Sequence, residues 1–143
     1  MDYFDVTSPV VKLDSLRLIL AIAIQKGWDF EMMDVKGAYL NSILDEEIYM
    51  RQPDAFNDKL GRVLKLHQAI YGLKRSGRSW YKKLTTVLFN DGFTWRHADN
   101  CVFYKKTGNR LSIITIYMDD LGLFASTKAL MASIKPSFIL ILL

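Results

Sequence analysis

The chain has 143 residues, a formal net charge of +4 and hydrophobic residues at 50% of its positions. This length allows one domain with a buried core, and this composition excludes a disordered chain. The mild positive charge suits a polyanion as partner but does not establish one. Cys101 is the single cysteine, so no internal disulfide can form, and with His67 and His97 it makes no zinc constellation.

The N-terminal residues MDYFDVTSPVVK lack the basic start and apolar middle of a signal peptide. The apolar run LRLILAIAI contains Arg17 and is too short to span a bilayer. We therefore expect an intracellular protein without a membrane partner. The sequence does not separate a cytoplasmic from a nuclear location.

A helix and two strands are predicted in the first part of the chain. The stretch SPVVKLDSLRLILAIAIQKG has helical apolar spacing, with Asp14 or Ser15 as the expected N-cap and Gly27 as the stop. WDFEMMDV is typical of a strand that ends near Asp34. KGAYLNSIL is expected to form a short turn or helix, and EEIYMRQP a second strand that stops at Pro53.

In the second part of the chain, the sequence predicts a strand, an amphipathic helix and a set of antiparallel strands. GRVLKLHQAIYGL is expected to be a strand that runs into a turn at Gly72. Between Ser76 and Asn90, large apolar side chains recur every four residues, which predicts a helix. CVFYK, LSIITIYM and LGLFA are then expected as antiparallel strands. This order of elements predicts an α+β fold.

Two adjacent carboxylates, Asp119 and Asp120, interrupt the most strand-like stretch, IITIYMDDLGLFAS. Aspartate is common in hairpin turns, so a turn without further role is one interpretation. The other requires a third carboxylate from a neighbouring strand, for which Asp34 is the candidate. Two such charges at about 4 Å repel by roughly 4 kcal/mol at an effective dielectric near 20, and Mg²⁺ ions would relieve this repulsion. The spacing alone leaves both interpretations open.

Five blocks of the sequence carry a family resemblance: TSPVVKLDSLRLILAIA, MDVKGAYLNSILDEEIYMRQPDAF, VLKLHQAIYGLKRSGRSWYKKL, DNCVFYKK and IYMDDLGLFAS. In sequence and in order they resemble reverse transcriptases of the Ty1/copia class of retrotransposons. The chain resembles this family from about Tyr3 to Ser126, so residues 1–126 are expected to form a partial reverse transcriptase domain. The resemblance implies a polymerase palm-like antiparallel sheet packed against helices, with partial fingers.

The resemblance also implies which residues carry the chemistry. DVKGAY matches the first catalytic motif and YMDD the third, which would make Asp34, Asp119 and Asp120 catalytic residues and metal ligands. They would hold Mg²⁺, or Mn²⁺ in its place, for attack of the primer 3′-hydroxyl on the α-phosphate of a deoxynucleoside triphosphate. The implied partners are an RNA or DNA template with its primer, deoxynucleoside triphosphates, and the other parts of a pol polyprotein.

Further residues are expected to contact nucleotide or template. Tyr39 stands where such polymerases place an aromatic ring under the sugar, although a core aromatic is the alternative. Met118 would approach the primer end, and by itself it is more typical of strand packing. LKRSGRSWYKK matches the family's second motif. We therefore expect phosphate contacts, rather than only a solvated helix face, from three side chains: Lys74, Arg75 and Arg78.

Two features depart from the family pattern. In the second motif Arg75 replaces a glutamine and Gly77 a proline, which would free the backbone where a helix should begin. Residues 127–143 are not matched by the motifs, and Pro136 is expected to break any helix there before the closing FILILL. These features favour, as an alternative function, a truncated and catalytically inactive relic with at most weak nucleic-acid binding.

Overall fold

The computed structural model describes residues 8–139, which contain three helices and seven strands. The helices are α1 (Leu13–Lys26), α2 (Ser76–Asn90) and α3 (Lys128–Ile139). The strands are β1 (Asp29–Asp34), β2 (Ile43–Arg51), β3 (Val63–Gln68), β4 (Thr94–Arg96), β5 (Asp99–Thr107), β6 (Arg110–Tyr117) and β7 (Asp120–Ala125). Within this range, no helix is both long and apolar enough to cross a membrane.

Five strands form one antiparallel sheet in the order β1-β7-β6-β5-β4, and β2 pairs with β3 in a separate two-stranded sheet. The central strands β5, β6 and β7 follow one another along the chain and pair with their sequence neighbours, the common hairpin arrangement. The first strand, β1, joins the sheet beside β7. The predicted α+β class, with an antiparallel sheet and helices, is confirmed.

Helices cover both faces of the five-stranded sheet. Leu121 and Leu123 of β7 belong to a buried cluster with Trp80 of α2, whereas Phe124 packs with Ile19 of α1. Successive strand residues point to opposite faces, so β7 is buried on both sides. This explains its nearly continuous apolar sequence. Each large side chain buried in this way stabilises the fold by about 1.5–3 kcal/mol.

The predicted helix α2 has the expected bounds, Ser76–Asn90. The side chains that recur every four residues are each at most 1% exposed: Trp80, Leu84 and Leu88. The end of α1 is also as predicted, because Gly27 adopts the left-handed conformation (φ 63°) that closes a helix. Both predictions rest on local signals that no distant part of the chain overrides.

The predicted N-cap of α1 is wrong. The helix begins at Leu13 after an extended Lys12, and neither Asp14 nor Ser15 caps it. The backbone N–H of Lys12 instead donates to Oδ2 of Asp99 in β5 at 2.9 Å. A carboxylate that is distant in sequence therefore ties the residue before the helix to β5.

The predicted break at Pro136 is wrong as well, because α3 continues from Lys128 to Ile139. A proline inside a helix costs about 3 kcal/mol, since it removes a hydrogen bond and crowds the preceding turn. Met131 and Ile134 of α3 are buried in the cluster that α2 shares with the sheet, which offsets this cost. The end of the FILILL segment, residues 140–143, lies outside the described residues.

We predict that Gly122→Ala destabilises the fold. A Cβ atom at Gly122 would lie 2.4 Å from Oγ1 of Thr115, a stiff β-branched neighbour on β6. Overpacking of this kind lowers the free energy of unfolding by about 1–3 kcal/mol. Urea unfolding measures the loss, and Thr115→Ala in the same chain should recover most of it in a double-mutant cycle. Additive losses from the two substitutions would show that this clash is not the cause.

Candidate active site

Two of the three predicted carboxylates lie opposite each other on neighbouring strands. Asp34 ends β1, Asp120 begins β7, and their Cα atoms are partners in the antiparallel register. Residues paired in this way have Cβ atoms about 4.5–5.5 Å apart on one face of the sheet. The pairing of β1 with β7 therefore brings together two carboxylates that are far apart in the sequence.

The third carboxylate, Asp119, lies in the two-residue loop that joins β6 to β7. The loop consists of Met118 and Asp119, because Tyr117 and Asp120 are already paired as strand residues. Met118 has φ 54°, in the left-handed region that non-glycine residues rarely adopt. Such a conformation costs about 1–3 kcal/mol and persists where the surroundings hold it.

Two hydrogen bonds to backbone carbonyls hold this loop in place. Nε1 of Trp80 donates to the carbonyl oxygen of Met118 at 3.1 Å. The N–H of Val35, the residue after Asp34, donates to the carbonyl oxygen of Asp119 at 3.0 Å. Since Trp80 is buried, its indole N–H would be costly to leave without an acceptor. These contacts tie the loop to the end of β1 and to α2.

The two carboxylate oxygens of Asp119 have different surroundings. Oδ2 accepts a hydrogen bond from the hydroxyl of Tyr71 at 2.8 Å. Oδ1 is buried and has no hydrogen-bond partner among the described residues. A buried carboxylate oxygen without a partner is costly, and a cation is one group that can satisfy it.

The donor atoms at this end of the sheet are chemically suited to a hard divalent cation. Asp34, Asp119 and Asp120 provide carboxylate oxygens, which Mg²⁺ prefers, and Oδ1 of Asp119 is unpartnered in the described part of the chain. Across residues 8–139, however, no group of three or more His, Cys, Asp or Glu side chains is arranged so that it could hold a metal ion. The strand pairing thus gathers the carboxylates without completing a coordination site.

An aromatic pair adjoins Asp119. The ring centroids of Tyr39, in the 3₁₀ turn Ala38–Asn41, and Tyr71 lie 4.5 Å apart with the planes tilted by 37°. Burial, and then the charge of Asp119, raises the pKa of Tyr39. Partial burial of the phenol and its hydrogen bond to Asp119 raise the pKa of Tyr71 to about 12. Both phenols are therefore protonated at neutral pH and can donate hydrogen bonds.

Sequence reasoning named Tyr39 and missed Tyr71. The signal that could have found Tyr71 is its place in the block VLKLHQAIYGLKR, beside the second motif. Sequence reasoning also missed that Trp80 donates to the β6–β7 loop, because the helical spacing of Trp80 indicated only a core residue.

The predicted phosphate-binding side chains lie around the start of α2, facing acidic residues of β2. Arg75 forms an ion pair with Glu46, and Lys82 forms one with Asp45 at 3.1 Å. A groove of about 280 Å³ between these elements is lined by both signs of charge. Two further predicted side chains are exposed: Lys74 and Arg78. Exposed ion pairs are worth about 0–1 kcal/mol, so phosphates can compete for these cations.

Gly77, which replaces a proline of the family pattern, has a packing role. It is buried at the start of α2, and a Cβ atom there would lie 2.7 Å from Cβ of Ser8. Gly77 is not among the residues with positive φ. Glycine is therefore required at this position because a side chain would clash with Ser8, and not because the backbone adopts a conformation that only glycine allows.

We predict that the stability of the protein falls between about pH 10 and pH 12 as Tyr71 ionises. Its folded-state pKa of about 12 lies above the ordinary value of 10.0, so the folded state holds the phenolic proton more tightly. The stabilisation is fully present below pH 10 and is lost as the pH rises toward 12. The phenolate absorbance difference between wild type and Tyr71→Phe measures this pKa. Titration of Tyr71 near pH 10 in the folded protein would contradict the prediction.

Comparisons with known proteins identify the family. Residues 1–139 match the family described as "Reverse transcriptase (RNA-dependent DNA polymerase)". The chain is 37% identical over 138 residues to the "Retrovirus-related Pol polyprotein from transposon TNT 1-94" of Nicotiana tabacum, covering 94% of this chain and 10% of that protein. It is 37% identical over 123 residues to the corresponding polyprotein from transposon RE2 of Arabidopsis thaliana, covering 85% and 8%.

A more distant relative comes from yeast. The chain is 30% identical over 131 residues to the "Transposon Ty1-GR3 Gag-Pol polyprotein" of Saccharomyces cerevisiae, covering 87% of this chain and 7% of that protein. No solved structure gives a significant match. The chain thus spans 10% or less of the length of these three curated relatives. The predicted resemblance is confirmed, and the chain belongs to the reverse transcriptase family, within the domain carried by Ty1/copia-type retrotransposon Pol polyproteins.

Proposed function

We propose that this chain is the palm, with part of the fingers, of an RNA-directed DNA polymerase, and that Asp34, Asp119 and Asp120 carry its nucleotidyl transfer. The observation that carries the proposal is the register of β1 and β7, which pairs Asp34 with Asp120 at the loop that contains Asp119. The end of β1, from the first motif, meets the loop and the start of β7, from the third motif, at this point. The palm assignment rests on this convergence and on membership of the family.

The same three aspartates would hold Mg²⁺, or Mn²⁺ in its place, through carboxylate oxygens. Bound ions would supply charge neutralisation at the phosphates and a more acidic 3′-hydroxyl on the primer. The chain itself supplies position: the Val35 N–H and the Trp80 indole hold the loop backbone. Because both donors are buried, the loop that carries Asp119 stays in place despite the repulsion between the carboxylates.

The neighbouring side chains would bind and select the nucleotide. The ring of Tyr39, held against Tyr71, would crowd a 2′-hydroxyl and so favour deoxynucleoside triphosphates. Met118 is 47% exposed at the tip of the β6–β7 loop, where it would meet the primer end. Phosphate contacts would come from the cations around the start of α2: Lys74, Arg75 and Arg78. The partners that we propose are an RNA or DNA template with its primer, within a larger Pol polyprotein.

We predict that primer extension depends on Asp119. With an RNA template, deoxynucleoside triphosphates and Mg²⁺, wild type should extend the primer, and Asp119→Asn should reduce extension by about 100-fold or more, since it replaces an anionic metal ligand with a neutral amide. Asp14→Asn, at an exposed aspartate of α1, serves as the control for loss of one negative charge. Circular dichroism establishes that each variant is folded.

Equal extension by wild type and Asp119→Asn would contradict the catalytic assignment. No extension by a folded wild-type chain would favour the alternative function, a catalytically inactive relic that at most binds nucleic acid weakly. The nucleic-acid binding experiment below then tests whether this chain still binds nucleic acid.

We predict that Glu46→Gln strengthens nucleic-acid binding by releasing Arg75 from its ion pair. The freed cation can meet a phosphate, so affinity for an RNA–DNA hybrid should rise several-fold, and the salt dependence should steepen by up to about one unit in log–log slope. Fluorescence anisotropy over a series of KCl concentrations measures both. Glu47→Gln is the matched control, because it makes the same charge change but frees Lys65 on β3. Equal gains in the two variants would indicate a net-charge effect and exclude a role for Arg75.

A further inference from the structure

Tyr71 contacts a proposed catalytic carboxylate, and its hydroxyl has no role assigned above. It lies between β3 and α2, in the segment that precedes the basic motif. Its hydroxyl donates to Oδ2 of Asp119 at 2.8 Å, and its ring lies against Tyr39. Tyr71 is 51% exposed, so this contact forms at the rim of the site rather than in the core.

The segment that carries Tyr71 is anchored at the helix start. The buried hydroxyl of Ser76, the first residue of α2, donates to the carbonyl oxygen of Ile70 at 2.6 Å. Gly72 follows with φ 95°, a left-handed conformation that lets the chain turn immediately after Tyr71. The phenol therefore projects from a fixed turn rather than from a free loop.

We infer that Tyr71 is a positioning residue for Asp119: its hydroxyl fixes the rotation of the carboxylate, so that Oδ1 rather than Oδ2 is the oxygen that coordinates a divalent cation. This inference rests on the proposed function. The backbone of Asp119 is already held through its carbonyl oxygen by Val35. A hydrogen bond to Oδ2 then restricts the side-chain rotation, while Oδ1 stays without a hydrogen-bond partner among the residues described.

Groups that hydrogen-bond to a metal ligand orient it before the metal arrives. Without them the ligand must be ordered when the metal binds, and loss of such a partner typically weakens metal affinity by about 10–100-fold. A hydrogen bond with a purely structural role would affect stability and leave cation affinity unchanged. Cation affinity is therefore the quantity that separates the two roles.

The test is a Mn²⁺ titration of the whole chain, followed by electron paramagnetic resonance of the free ion. Tyr71→Phe keeps the ring against Tyr39 and removes the hydroxyl, and it should weaken Mn²⁺ binding about tenfold. Its thermal unfolding midpoint, measured beside wild type, shows whether the fold is retained. The matched control is Tyr49→Phe: Tyr49 is 54% exposed, and its hydroxyl donates to Oε2 of Glu47 at 3.0 Å on β2. The Tyr49→Phe variant loses the same kind of hydrogen bond, from a tyrosine to a carboxylate, away from the site, and it should bind Mn²⁺ as wild type does.

The outcomes separate this inference from the proposed function. If wild type and Asp119→Asn bind Mn²⁺ equally, or if wild type binds none, the metal assignment at Asp119 fails and the proposed function with it. If binding depends on Asp119 but Tyr71→Phe matches wild type, the inference about Tyr71 alone is overturned. Tighter binding by Tyr71→Phe would also overturn it, because the hydroxyl would then compete with the cation.

Discussion

The antiparallel pairing of β1 with β7 is the constraint on which the site depends. It places Asp34 opposite Asp120, and the Val35 N–H continues the contact to the carbonyl oxygen of Asp119. A shift of register by one residue would turn the side chains of β1 to the other face of the sheet and separate these carboxylates. The register is strongly specified because β7 is buried on both faces, with Phe124 against α1 and its neighbours against α2.

Hydrogen bonds from neighbouring elements offset the free-energy cost of this arrangement. Carboxylates of like charge repel, and Met118 is held in a left-handed conformation that its side chain disfavours. The buried indole of Trp80 holds the carbonyl of that residue, and the hydrogen bond from Tyr71 engages one oxygen of Asp119. A fold that maintains backbone strain and like charges at one end of a well-packed sheet is typical of a functional site.

Local patterns predicted the elements whose signals are complete within a short window. The four-residue spacing in α2 and Gly27 after α1 are such signals, and the motifs identified the family. The prediction of an N-cap at Asp14 or Ser15 was wrong because the helix begins earlier, at Leu13, after Lys12, whose backbone N–H is bonded to Asp99 of β5. The prediction at Pro136 was wrong because the burial of α3 against the core outweighs a local breaker. Strand β4 is three residues long and has no periodicity to detect.

The sequence by itself determined the fold class and the family, because these depend on local patterns and on the order in which they occur, and its motifs proposed the three carboxylates as the site. The tertiary structure decided which carboxylates face each other, that the tight loop is Met118–Asp119, and that Tyr71 bonds to Asp119. It also decided that Arg75 is paired with an acidic residue of β2. Each of these is a contact between residues far apart in the chain, and such contacts depend on strand register and packing, which no local pattern encodes.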